Sequence, residues 1–186
     1  MGGQTLHPYG RKILDTGGSS SGSGVSTTSN LAAASLGSET SGSILSPSSA
    51  NSLVGMKPTI GNVSRAGIVP ISSTLDTAGP MTKFVIDNIL IYNAINDFDP
   101  LDDYSVENYD IKIKEVVENK LEEYTIGYYK SFYERDSLYK NAIDFLIEEG
   151  VKLQAIDAPQ IRLEGFAKIL DAVSYTHLTL PTTNSV

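Results

Sequence analysis

The first 80 residues constrain the fold most, because they combine very little charge with a high content of serine, glycine, threonine and proline. Such a composition is typical of a flexible linker. Here, however, aliphatic residues are interleaved throughout the stretch, whereas a flexible linker forms no core in which to bury them. Small side chains also allow backbone segments to approach each other closely. We therefore expect residues 1–80 to form a buried, loop-rich core.

The following part of the chain has the periodicities of helices and strands. Residues 85–95 carry apolar side chains at helical spacing and predict an amphipathic helix. Residues 124–129 and 151–157 predict strands, and residues 137–150 predict a helix with a serine at its N-cap. Residues 111–123 are ambiguous between strand and helix. A strand, a helix and a strand within about thirty residues form a βαβ unit, so the sequence predicts an α/β fold with a parallel strand pair.

Composition and charge exclude several classes of function. The 186 residues include no cysteine and only two histidines, His7 and His177, which excludes disulfide frameworks, thiolate chemistry and multi-histidine metal sites. The net charge is −8, and the acidic excess lies in residues 81–186, which argues against a broad nucleic-acid surface. No apolar run approaches the ~20 residues of a membrane span, and no secretory leader opens the chain. We expect a cytoplasmic protein that binds neither nucleic acid nor membrane.

The candidate chemistry lies in residues 17–49, which offer serine hydroxyls and bare backbone amides. The GGSSSGSG segment is a poor phosphate loop, because no Gly-Lys-Ser/Thr closes it. A serine nucleophile without histidine or cysteine partners needs another base, and lysine serves as one in Ser-Lys enzymes. In SGSIL, a glycine-flanked serine on a tight turn could lie beside successive backbone N–H groups, as in an oxyanion hole. Taken alone, such a cluster is more typical of an ordinary turn-rich loop.

Several ordered blocks of the sequence resemble those of the amidase signature family. The members of this family are serine hydrolases that act on carboxylic amides. The blocks are GGSSSGSG, GSETSGSI, VGMKPT, VSRAGIVP and STLDTAGPM, in matching order and separation. The ETSGSIL segment resembles the peptide-amidase branch more than the glutamyl-tRNA amidotransferase branch. The resemblance implies an α/β fold with a mixed, twisted β-sheet surrounded by helices, of which this chain would hold a part.

The resemblance also implies the positions of the catalytic groups. The nucleophile falls on Ser43, and the bridging serine, which follows a non-proline cis peptide, falls on Ser19. Ser20 would support the hydrogen-bond network. The backbone N–H groups that would form the oxyanion hole, together with that of Ser43, are those of Thr40, Ser41 and Gly42. No cofactor or metal is implied, and the substrate would be a small-molecule or peptide amide.

The lysine base that the resemblance implies has no equivalent in this sequence. In the family it lies dozens of residues upstream of the bridging serine, whereas only 18 residues precede Ser19. Lys12 is too close in sequence, and Lys57 belongs to the later GMKPT block. We therefore expect residues 1–172 to form a partial amidase signature domain, truncated at both ends. Residues 173–186 change in character and resemble a translated sequencing adapter, so we expect them to be a non-native tail.

Two other functions remain open from the sequence. One is the glutaminase of a glutamyl-tRNA amidotransferase, which would need a glutamine pocket and a partner protein. The other is a non-catalytic Ser/Gly-rich binding or linker module. Protease resistance of residues 1–80 would count against that module, because a flexible linker is cut readily.

We predict that the chain with this sequence is inactive and poorly soluble, because it lacks the lysine base and an incomplete core exposes apolar surface. A serine-reactive fluorophosphonate should therefore leave Ser43 unmodified, as mass spectrometry of the digested protein would show. Prompt modification of Ser43 would contradict the prediction.

Overall fold

The chain divides into two structural units, and the first unit ends at Ile113. A three-stranded antiparallel sheet and three helices form this first unit. The computed structural model describes residues 3–157. In chain order the elements of the first unit are α1 (Ser21–Thr28), β1 (Ala34–Glu39), α2 (Leu45–Ala50), β2 (Val54–Gly55), β3 (Thr77–Thr82) and α3 (Val85–Ile95). The central strand is β3, which pairs with β1 on one side and with β2 on the other.

The core of the first unit surrounds β3, which is buried along its whole length. Its main apolar cluster and the side chains packed against that cluster are Val63, Ala78, Tyr92, Met56, Ile95 and Ile111. Ile44 and Met81 are fully buried as well. Burying one such side chain contributes ~1.5–3 kcal/mol relative to leaving it exposed. Residues 1–80 therefore contribute Ile44, Val63 and Ala78 to a buried core, as predicted in part, and this stretch is not a flexible linker.

Residues 1–80 nevertheless contain more regular structure than the sequence predicts. Helix α1 has the sequence SGSGVSTT, which consists largely of weak helix formers. Its packing on β1 stabilises it, because the Ser23 hydroxyl donates to the Leu36 carbonyl at 2.8 Å and the Ser35 hydroxyl donates to the Ser23 carbonyl at 2.9 Å. Not every aliphatic residue of the stretch is buried, since Leu31 and Val69 are 79% and 77% exposed.

The second unit begins at Lys114 and contains the predicted βαβ arrangement. After α4 (Ile113–Glu118) and a short 3₁₀ helix (Leu121–Glu123) come β4 (Thr125–Tyr129), α5 (Lys130–Arg135), α6 (Ser137–Glu148) and β5 (Lys152–Ile156). Strands β4 and β5 pair in parallel, which confirms the expected strand pair. The described part of the chain is thus a mixed α/β structure.

The helix predictions hold to different degrees. Helix α3 spans the predicted residues 85–95. At the start of α6, however, the predicted serine cap is wrong, because Asp136 is the cap and its carboxylate accepts hydrogen bonds from the amides of Leu138 and Tyr139. A carboxylate cap also complements the positive end of the helix dipole. The tail expected at residues 173–186 lies outside the described residues.

None of the helices within residues 3–157 is both long enough and apolar enough to cross a lipid bilayer.

Replacing Gly79 with alanine should destabilise the first unit. A Cβ atom on Gly79 would overlap the Met56 carbonyl oxygen and would lie 2.8 Å from Pro58 Cδ. Because backbone cannot move aside cheaply, we expect a loss of ~1–3 kcal/mol or more in the free energy of unfolding. The control is Gly22→Ala in α1, where the new methyl group would meet no described atom within 4 Å apart from its chain neighbours and the backbone of its own helix. Urea unfolding of both variants checks the prediction, and equal stabilities would contradict it.

Candidate functional site

The loop between β1 and α2, residues 40–44, carries the predicted nucleophile. Ser43 is half-buried, whereas Ser41 is exposed. Gly42 has a positive φ of 88°, a conformation that favours glycine, and its carbonyl accepts a hydrogen bond from the Ser46 amide at 2.7 Å. The backbone therefore turns at Gly42 directly into the helical turn that leads to α2, and Ser43 lies within this turn.

The amides of this loop divide into a paired and an unpaired group. Glu39, the last residue of β1, is buried, and its Oε2 atom accepts hydrogen bonds from the amides of Ile44 at 2.8 Å and Leu45 at 2.9 Å. Within residues 3–157, the described hydrogen bonds include none donated by the amides of Ser41, Gly42 or Ser43. These neighbouring donors are therefore available to an oxygen atom of a bound molecule.

The segment that contains the predicted bridging serine lies against the same loop. The peptide bond between Gly18 and Ser19 is cis, as the family resemblance implied, and Ser19 is exposed. The Ser20 amide donates to the Ser43 carbonyl at 3.2 Å. The Ser20 hydroxyl donates to the Ser38 carbonyl at 3.3 Å and accepts from the Ser38 amide at 3.2 Å. The structure therefore brings the 18–20 segment, β1 and the Ser43 backbone together.

A glycine in β1 allows this close approach. A Cβ atom on Gly37 would lie 2.9 Å from the Ser20 hydroxyl oxygen and 3.0 Å from Ile44 Cγ1. Real side chains essentially never make such short contacts. Residue 37 therefore has to lack a side chain if Ser20 is to reach the backbone of β1 at Ser38.

A second buried carboxylate holds the other end of the loop. The Thr40 hydroxyl donates to Asp76 Oδ1, and Asp76 Oδ2 accepts from the amides of Ile71 at 2.7 Å and Ser72 at 2.8 Å. Sequence reasoning missed both Glu39 and Asp76. A signal was present, however, because residues 1–80 contain only three acidic side chains, and two of them are these.

Asp76 also lines a cavity of about 260 Å³, together with Arg65, Asp102 and Tyr104. The Arg65 guanidinium donates through Nε and Nη2 to the two carboxylate oxygens of Asp102, each at 3.1 Å, and it stacks 4.5 Å from the Tyr104 ring centre. Hydrogen bonding from Arg65 lowers the pKa of Asp102 to about 2, and the same bond raises the pKa of Arg65. Neither Ser19 nor Ser43 lines this cavity.

The other residues considered from the sequence take no part in the described arrangement. Lys12 and Lys57 are exposed, and within residues 3–157 neither has a described hydrogen bond to Ser19 or Ser43. The described part of the chain also contains no group of three or more histidine, aspartate or glutamate side chains placed to hold a metal ion.

Fold and loop together define a mixed α/β protein that presents a serine beside unpaired backbone amides. Comparison with known proteins gives the family. The family model described as Amidase matches residues 1–177. The chain therefore belongs to the amidase family, and the resemblance of its sequence blocks to the amidase signature family is confirmed.

The relatives include both branches considered above. A protein named "Probable amidase" from Arabidopsis thaliana is 57% identical over 86 residues, which are 46% of this chain and 17% of that protein. A glutamyl-tRNA(Gln) amidotransferase component from Caldanaerobacter subterraneus is 39% identical over 166 residues, 89% of this chain and 32% of that protein. The crystal structure of peptide amidase from Stenotrophomonas maltophilia matches with a TM-score of 0.75 and 34% identity, covering 90% of this chain and 35% of that one. The chain thus spans at most about a third of the length of these relatives.

Replacing Asp102 with asparagine should reduce the loss of folding stability that occurs as the pH falls from about 4 towards about 2. The folded-state pKa of Asp102, about 2, lies below its ordinary value of 3.8, so at low pH the unfolded state takes up the proton first. The stability that Asp102 contributes is therefore fully present above about pH 4 and is lost as the pH falls towards about 2.

Urea unfolding of the wild type and of Asp102→Asn at several pH values tests this sign. We expect the variant to be less stable near pH 6, because Arg65 loses its charged partner. The difference between the two proteins should shrink towards pH 2. A difference that stays constant across this range would contradict the assignment.

Proposed function

We propose that the longer protein of which this chain is a part hydrolyses carboxylic amides, with Ser43 as the nucleophile and Ser19 as the proton relay, and that the chain alone, without its lysine base, is inactive. The observation that supports this most is the contact between two segments, in which the Ser20 amide donates to the Ser43 carbonyl beside loop amides that have no described partner within residues 3–157. Membership of the amidase family supports the same reaction class. The substrate we propose is a small-molecule or peptide amide.

The proposed reaction follows the ordinary steps of acyl transfer. The Ser43 hydroxyl oxygen attacks the amide carbon, and its proton passes through the Ser19 hydroxyl to a neutral lysine. The negative charge that develops on the carbonyl oxygen is stabilised by the N–H groups of Thr40, Ser41, Gly42 and Ser43. The C–N bond then breaks, and the relay returns the proton to the leaving nitrogen. Water attacks the acyl-serine ester, which releases the acid and regenerates Ser43.

The general base in this proposal is the lysine that the family resemblance implies upstream of Ser19 and that has no equivalent in this sequence. Lys12 and Lys57 are exposed, and within residues 3–157 neither has a described hydrogen bond to Ser19 or Ser43. In this arrangement Ser20 supports the network, since its hydroxyl both donates to and accepts from the Ser38 backbone. Residues 1–172 would then form part of an amidase signature domain.

A second candidate is the glutaminase reaction of a glutamyl-tRNA amidotransferase. The 39% identity to a glutamyl-tRNA(Gln) amidotransferase component over 89% of this chain favours it. Both candidates use the same nucleophile and differ in the acyl group. Ammonia released from free glutamine would indicate the glutaminase, whereas ammonia released from C-terminally amidated peptides would indicate a peptide amidase.

Replacing Ser43 with alanine in the protein expressed from its complete coding sequence should abolish amide hydrolysis, because no oxygen remains to form the acyl-enzyme. Ser19→Ala should lower kcat by ~10²–10⁴-fold, the contribution typical of a positioned proton-transfer group. Ammonia release from amidated peptides and from glutamine measures both effects.

The matched control is Ser49→Ala, which removes an exposed hydroxyl from α2. This variant should keep the wild-type rate and should still react with a fluorophosphonate at Ser43. Unchanged hydrolysis in Ser43→Ala would disprove the proposed nucleophile, and unchanged hydrolysis in Ser19→Ala would disprove the relay alone.

A further inference from the structure

Glu39 occupies an unusual position for a charged side chain. It ends β1 in a nearly uncharged part of the sequence and is only 4% exposed. A buried carboxylate is costly unless it is hydrogen-bonded, so its partners explain its presence. Its Oε2 atom accepts from two successive amides, those of Ile44 and Leu45, at 2.8 and 2.9 Å.

These two amides come immediately after Ser43. They belong to the first turn of a helix, where backbone donors have no partner within the helix itself. Without Glu39 they would compete with the preceding amides for the same bound oxygen or would turn towards water. Glu39 therefore accepts from the amides of residues 44 and 45, whereas the amides of residues 41–43 have no described partner within residues 3–157.

The anchoring is also geometric. Glu39 and the two amides are joined across the loop that contains Ser43, so the carboxylate closes the loop onto the end of β1. The Ser43 backbone is then fixed from two sides, by Glu39 through the following amides and by Ser20 through the Ser43 carbonyl. An anchored loop keeps its dipoles aimed before the reaction and needs no reorganisation during it.

We propose that Glu39 is a positioning residue for the Ser43 loop, which its carboxylate holds in the conformation that aims the free amides at the substrate oxygen. This proposal rests on the proposed function. Glu39 contacts neither substrate nor reacting atoms and acts through the backbone of residues 44 and 45. It should therefore affect the rate of the chemical step more than the binding of the substrate.

The test compares three variants of the protein expressed from its complete coding sequence. Glu39→Ala removes the acceptor, and Glu39→Asp shortens it by one methylene, so neither holds both amides. For both we expect kcat to fall by ~10–100-fold with KM within about threefold of wild type, since small misplacements of a reacting group are costly. Glu39→Gln keeps an acceptor oxygen at the same reach and should retain kcat within about fivefold.

Hydrogen–deuterium exchange supplies a readout that does not depend on turnover. In Glu39→Asp and Glu39→Ala the amides of Ile44 and Leu45 should exchange at least about tenfold faster than in wild type, while Glu39→Gln keeps their protection. The control is Asp99→Ala, which removes a carboxylate that accepts from the Ser64 hydroxyl and the Leu101 amide, away from residues 40–45. It should leave exchange at residues 44 and 45 unchanged.

The outcomes separate this proposal from the proposed function. If wild type hydrolyses amides but Glu39→Asp has wild-type kcat, the positioning role is wrong and the amidase function stands. If the exchange rates of Ile44 and Leu45 do not respond to Glu39→Asp, the anchor is wrong whatever the activity. If wild type hydrolyses no amide, the proposed function fails and so does the catalytic role of Glu39. Should Glu39→Ala not fold, the aspartate and glutamine variants decide.

Discussion

The antiparallel pairing of β1 with β3 determines where the chemical groups of the first unit lie. Its register places Gly37 opposite Gly79 and Glu39 opposite Thr77. Because β1 ends where β3 begins, the loop after β1 and the residue before β3 emerge at the same end of the sheet. The bond between the Thr40 hydroxyl and Asp76 follows from this register. A slip of one residue would turn every side chain of β1 to the opposite face and separate these groups.

Two buried carboxylates then act on the loop that carries Ser43, each at one end. Asp76 accepts from the Thr40 side chain, and Glu39 accepts from the amides after Ser43. Both are supplied with two or more donors, which offsets the cost of burying a charge. What they leave between them is a short run of backbone N–H groups without a described partner inside the protein. The proposed stabilisation of a tetrahedral oxyanion beside Ser43 depends on this run of donors.

The sequence predicted those parts of the structure whose residues carry strong local signals. Apolar spacing located α3, the β-branched and aromatic run located β4, and the alternation of apolar and polar residues located β5. The ordered blocks identified the family and placed the candidate serines. The sequence did not predict α1, because SGSGVSTT is a poor helix by propensity and depends on its packing against β1. It also assigned the cap of α6 to a serine, although the preceding Asp136 offers a charged acceptor.

Glu39 and Asp76 were missed for a different reason. Their importance comes from partners that are distant in sequence or that lie on the backbone, as with the 36 residues that separate Thr40 from Asp76. No periodicity reveals such a pair. The scarcity of charge around them was a trace in the sequence, because an isolated carboxylate in an apolar, small-residue stretch is costly without donors.

The hydrogen bonds between α1 and β1 also constrain the position of the segment that precedes α1. The Ser23 hydroxyl, the Ser35 hydroxyl and the Thr27 hydroxyl fix the helix lengthwise on the strand. This alignment, together with the Ser20–Ser43 backbone bond, determines where the segment before α1 lies relative to the loop after β1. A shift of α1 by one turn would displace the start of the helix by about 5.4 Å and would break the bond between the Ser20 amide and the Ser43 carbonyl.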